Sequence, residues 1–104
     1  MNRLDTLQQF FNEDPNDPFN LYGLALEISK TDRPQAFTLF QQLIDGFPDY
    51  IPAYYQSAVL SIELSKPDFA KEVIEKGMNW AKSKNDIKAY HELQQLLNDV
   101  DGEI

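Results

Sequence analysis

Shifted by 34 residues along itself, the chain lays apolar residues on apolar residues in two separate stretches, and this constrains the fold more than any other feature. The shift sets Pro18 on Pro52, Leu21 on Tyr55, Ala25 on Val59, Leu26 on Leu60 and Ile28 on Ile62. It also sets Ala36 on Ala70, Leu39 on Val73, Phe40 on Ile74 and Leu43 on Gly77. A polar stretch divides the two matches in each copy. Each unit therefore reads as two helices and a turn.

The helix signals agree with that period. Pro18 suits a first helical position, with Asp17 as its cap, and Leu21, Leu24, Ala25 and Ile28 then share one face. Ser29 to Pro34 is the turn, Thr31 or Asp32 caps the next helix, and Ala36, Leu39, Phe40, Leu43 and Ile44 form its apolar face up to Gly46-Phe47-Pro48. In the second unit Pro52 opens a helix whose expected inner face is Tyr55, Ala58, Val59 and Ile62. Ser65 to Asp68 turns, and Ala70, Val73, Ile74 and Gly77 lead towards Trp80 and Ala81. The ends read as half-units. Residues 3–12 resemble a second-type helix, and Asn85 with Asp86 caps a last helix over 86–100 that takes the place of a first-type one. Asp99, Asp101 and Glu103 read as a frayed acidic tail. The expectation is an all-α domain of six helices, with repeats over 18–48 and 52–82.

A 34-residue helix–turn–helix period with small residues at Ala36 and Ala70, large apolar ones at Phe40 and Ile74 and a closing Pro48 resembles the tetratricopeptide repeat family, as found in small bacterial proteins. Asp14-Pro15-Asn16-Asp17-Pro18 is similar to the family's inter-repeat linker. The resemblance covers residues 3–100 and implies antiparallel helix pairs stacked into a superhelix. The chain departs from the family where Leu21 stands in an aromatic position, which Tyr54 or Tyr55 fills in the second unit, and where Lys82 replaces the closing proline. The first helix of each unit also fits one residue off the family's register, as if a residue short.

Such a fold implies a protein-binding module whose first-type helices line a concave groove. Opposite the inner face lie Phe19, Tyr22, Leu26 and Ser29, and the shift carries these to Ala53, Gln56, Leu60 and Glu63 and then to Tyr90 and Gln94. Tyr22–Gln56–Tyr90 and Leu26–Leu60–Gln94 are the expected stripes, suited to a peptide or helix laid in the groove. They hold no cation, so the Lys, Arg and Asn clamp by which some members of this family grip acidic C-termini is not expected. With Glu27, Glu63 and a net charge of −8, the expected partner is neutral or basic. The alternative is a self-associating protein, a homodimer formed through an apolar end helix carrying Leu96, Leu97 and Val100.

The same charge argues against nucleic acid and anionic membranes. The late lysines, 66, 71, 76, 82, 84 and 88, read as a solvated helix face alternating with Glu72 and Glu75. Catalysis finds no support. His91 is the single histidine and cysteine is absent, so neither a zinc site nor an activated nucleophile is expected, and the four glycines are too scattered for a phosphate loop. No cofactor is implied. No apolar run is long enough to span a bilayer, Arg3 and Asp5 do not suit a secretory signal, and a cysteine-free chain fits the cytoplasm.

Overall fold

The computed structural model describes residues 2–102 and contains six α-helices and, among those residues, no strand. They are α1 (Arg3–Glu13), α2 (Pro18–Ser29), α3 (Arg33–Gly46), α4 (Pro52–Glu63), α5 (Pro67–Ser83) and α6 (Ile87–Gly102). The chain forms two compact units, divided after Pro48.

In the first unit α2 packs against both α1 and α3. Asp17 caps α2 by accepting the Phe19 amide at 3.0 Å, Pro18 follows, and Asp32 caps α3 by accepting the Gln35 amide at 3.1 Å. Leu21, Leu24, Ala25 and Ile28 are all buried, facing the buried Ala36, Phe40, Leu43 and Ile44 of α3. Ala25 and Ala36 have no exposed surface, as a close helix crossing requires. The Asn20 amide nitrogen donates to the carbonyls of Phe10 at 3.2 Å and Asp14 at 3.1 Å, which ties the end of α1 to the start of α2.

The second unit packs α5 against both α4 and α6. Here the inner face of α4 differs from the expectation. Tyr54, Ser57, Ala58 and Ser61 are buried, whereas Tyr55, Val59 and Ile62 are half-buried. Only Ala58 of the expected four lies inside. The cause is the turn. In the first unit the turn closes with the Asp32 amide on the Ile28 carbonyl, four residues back. In the second it closes with the Lys66 amide on the Ser61 carbonyl, five residues back, and Ser65 takes a left-handed conformation at φ 61° to allow it. The α5–α6 turn repeats the wide form, with Asp86 on Ala81 and Asn85 at φ 58°. The extra residue separates Ala58 from Ala70 by twelve positions, against eleven from Ala25 to Ala36. The inner faces of α2 and α4 therefore match at a shift of 33, while those of α3 and α5 keep 34.

The C-terminal segment also departs from expectation. The last helix continues through Gly102, and Asp101 pairs with Lys71 at 3.0 Å instead of fraying; Glu103 lies outside the described residues. Val100 is buried, and Leu96 and Leu97 are half-buried.

Three substitutions test the packing by urea unfolding. A Cβ on Gly77 would stand 2.6 Å from the Tyr54 Cβ and 2.9 Å from the Leu93 Cδ1, and the first of these cannot swing away. Gly77→Ala should therefore cost about 1–3 kcal/mol. Gly46→Ala, where a Cβ meets nothing within 4 Å, should stabilise by about 0.4–1 kcal/mol. The buried Ser57 hydroxyl has no hydrogen-bond partner among the described residues, so Ser57→Ala should be neutral or stabilising, by up to about 1 kcal/mol; a clear loss of stability would contradict this account of the α4 face.

Candidate functional site

The corrected register decides which side chains of the first-type helices point outward. In the first unit Tyr22 and Leu26 are half-buried, and Phe19, at the start of α2, is 66% exposed. The Tyr22 ring meets Phe40 edge-on at 6.2 Å, so its body is held by α3 while part of it faces out.

In the second unit the expected residues divide. Leu60 is only 4% exposed and belongs to the core, as does Ala53. Gln56 is half-buried and Glu63 exposed. The positions equivalent to Tyr22, Leu26 and Ser29 are instead Tyr55, Val59 and Ile62, all half-buried. They recur at i, i+4 and i+7, one apolar stripe beside the buried face. The second wide turn moves the register on once more, so that Leu93 is buried where Ala58 is and the next stripe is Tyr90, Gln94 and Leu97. The Tyr90 and His91 rings meet edge-on at 6.1 Å. A tyrosine thus occupies the same place in α2, α4 and α6. A uniform 34-residue shift hides this by putting Gln56 in the middle. The unequal Ala25–Ala36 and Ala58–Ala70 spacings were the available signal.

The terminal helices expose polar side chains together with a few large apolar ones, Leu4 and Phe10 on α1 and Ile87 on α6. In the first unit Asp5, Gln8, Gln9, Asn12 and Glu13 of α1 are exposed, with Gln8 bonded to Asn12 at 2.9 Å and Gln9 to Glu13 at 3.0 Å. In the second unit Lys88, His91, Glu92, Gln95, Asn98 and Asp99 of α6 are exposed, and Gln95 bonds Asp99 at 3.0 Å.

Electrostatics near the stripe of the first unit centre on Glu27. Its Oε2 accepts from Lys30 Nζ and from Arg3 Nε, both at 3.0 Å. The Lys30 hydrogen bond, aided by Arg3, holds the carboxyl below its usual value. Because the folded value is lowered, the contribution is complete at neutral pH and fades as the pH falls through that value. In the second unit burial, with the Asp49 charge beside it, pushes the Tyr54 phenol up. Among the described residues no group of three or more His, Cys, Asp and Glu converges on a possible metal, and no helix is long and apolar enough to cross a membrane.

Two helix–turn–helix pairs flanked by single helices define a helical-repeat array, and comparison with solved structures identifies its family. A tetratricopeptide repeat domain protein from Salinibacter ruber, in a solution NMR structure, matches with a TM-score of 0.81 and 34% identity over 86% of this chain and 91% of its own. A crystal structure of a tetratricopeptide repeat domain protein from the same organism matches with a TM-score of 0.80 and 31% identity over 85% of this chain and all of its own. The protein belongs to the tetratricopeptide repeat family. The TPR2B domain of yeast Sti1, in a complex with pHsp70, shares the fold with a TM-score of 0.88 at 18% identity, over 97% of this chain and 82% of that one. No protein-family model matches the chain, nor does any curated protein sequence.

The Glu27 contacts are checked by comparing wild type with Glu27→Gln in urea across pH. The midpoints should differ at neutral pH and converge as the pH drops below 4.5. Midpoints that stay equally far apart at every pH would remove the ionic explanation.

Proposed function

We propose that this protein is a non-catalytic protein-interaction module that binds a peptide or helix of a partner through the outward stripes of its first-type helices. The observation that carries the reading is the recurrence of a half-buried tyrosine with an apolar or amide neighbour four residues on: Tyr22 with Leu26, Tyr55 with Val59, and Tyr90 with Gln94. An aromatic ring wedged at its base and open at its edge buries large area on binding with few rotors to order, which is why such residues dominate contact energies. Phe19, Gln56 and Glu63 flank the stripes and widen the surface. That the Sti1 domain of the same fold is found in a complex supports a protein partner. Exposed Glu63 and the net charge of −8 favour a neutral or basic one. The stripes carry no cation of the kind an acidic terminus needs. We place the protein in the cytoplasm, in keeping with its lack of cysteine.

The decisive comparison is affinity capture from native cell extract with wild type and the double variant Tyr22→Ala, Tyr55→Ala. Both tyrosines are half-buried, so the variant should keep its helical circular dichroism and lose the captured partner, by at least about tenfold if each ring contributes more than ~1 kcal/mol. An unchanged captured set with an intact fold would overturn the proposal.

A further inference from the structure

Three of the six lysines late in the chain are ion-paired. Lys71 pairs with Asp101 at 3.0 Å, Lys84 with Asp49 at 3.1 Å, and Lys88 reaches Glu92 at 3.9 Å. Lys82 has no ion pair among the described residues, and it lines a hollow of about 250 Å³ in the second unit.

The hollow lies where the end of α5 meets the first turns of α6. Ala81, Ile87 and Tyr90 give it apolar walls; Lys82, Asp86 and His91 give it polar ones. Asn85, the left-handed residue of the wide turn, lines it as well. The Asp86 carboxylate is already engaged, accepting the Ala89 amide at 3.1 Å as the cap of α6. Its charge persists, and Lys82 is the lining cation that forms no ion pair among the described residues. Ile87, 68% exposed, brings a large aliphatic side chain to the lining of the hollow. The volume corresponds to about eight waters at ~30 Å³ each. It falls below the ~300 Å³ at which small-molecule and cofactor pockets begin, so it suits a single side chain.

We propose that this hollow is a specificity pocket for one leucine- or phenylalanine-sized side chain of the partner, followed in the partner's sequence by an aspartate or glutamate whose carboxylate meets Lys82. Closing the apolar walls over such a side chain covers Ile87 and the free edge of Tyr90. The adjacent carboxylate supplies the counter-charge that Asp86 does not. This deepens the reading of the protein as a protein-binding module and rests on it: the pocket selects one residue pair of a partner that is elsewhere neutral or basic.

The test is an NMR titration of the full, ¹⁵N-labelled chain with three blocked tetrapeptides: Gly-Phe-Glu-Gly, Gly-Phe-Lys-Gly and Gly-Ala-Glu-Gly. The first should shift the amides of residues 81–91 at millimolar concentration. The second should bind about two- to fivefold more weakly, the range set by one exposed ion pair. The third should produce no shifts there. Lys82→Glu should invert the order of the first two, and Ile87→Ser, at an exposed position, should abolish the shifts without changing the circular dichroism. Equal affinity for the glutamate and lysine peptides, indifference to Lys82→Glu, or shifts confined to other regions would overturn the proposal. The Tyr22→Ala, Tyr55→Ala variant touches none of the lining residues and should bind the first peptide as wild type does. Failure of the pocket is thereby distinguished from failure of the stripe.

Discussion

Close approach of paired helices is the constraint from which the rest follows. In the first unit it is met by Ala25 and Ala36, in the second by Ala58, Ala70 and Gly77, all buried. At Gly77 the space a methyl would take is already filled by Tyr54 and Leu93, so α4 and α6 both lean on α5 at that point. Small residues let large neighbours such as Tyr54 and Phe40 cover the junction and fill the core, because a packed interior leaves neither voids nor room for extra atoms. With the crossing points set, each first-type helix has one face committed to its partner, and only the remainder can meet another molecule.

Turn width then sets what that remainder is. One residue in a helical connection rotates everything before it by about 100° relative to the small residue that anchors the next helix. The narrow turn after α2 and the wide turns after α4 and α5 change which residues lie inside. Ser57 and Ser61 enter the core where Leu24 and Ile28 stand in the first unit, and Tyr55 comes out where Tyr22 does. Ser65 and Asn85 sustain the wide turns in the left-handed region, which costs asparagine less than most residues and serine somewhat more. The extra residue is thus more than a local irregularity. It gives α2, α4 and α6 each a tyrosine at the same position of its own helix and, after α5, contributes Asn85 to the wall of the hollow beside Lys82.

Much of the fold was legible in the chain. Helix number, the proline starts at 18 and 52, the aspartate caps at 17, 32 and 86 and the small residues at 36 and 70 are local signals, readable because each acts over a turn or two of backbone. The period itself identified the architecture. The candidate site was legible only in part. Phe19, Tyr22 and Leu26 of α2 are open or half-buried, and Tyr90 and Gln94 of α6 answer to Tyr22 and Leu26 because the shifts of 33 and 35 add up to twice 34. Gln56, Leu60 and Glu63 were displaced by one position, because helix limits recur at 34 residues while the buried face of α4 does not.

By itself, then, the sequence determined the repeat: its period, its helices, their caps and the small residues where they cross, since these are written in spacing and composition. Only the tertiary structure decided the rotation of α4 about its own axis, and with it the burial of Tyr54 and Leu60 and the half-buried, outward position of Tyr55. An alternating run such as Ala53-Tyr54-Tyr55-Gln56-Ser57-Ala58-Val59-Leu60 offers two apolar faces of nearly equal merit. The choice between them is made by a hydrogen bond from Lys66 to Ser61 and by the close approach of Tyr54 that Gly77, lacking a side chain, allows, and both exist only once the helices are packed.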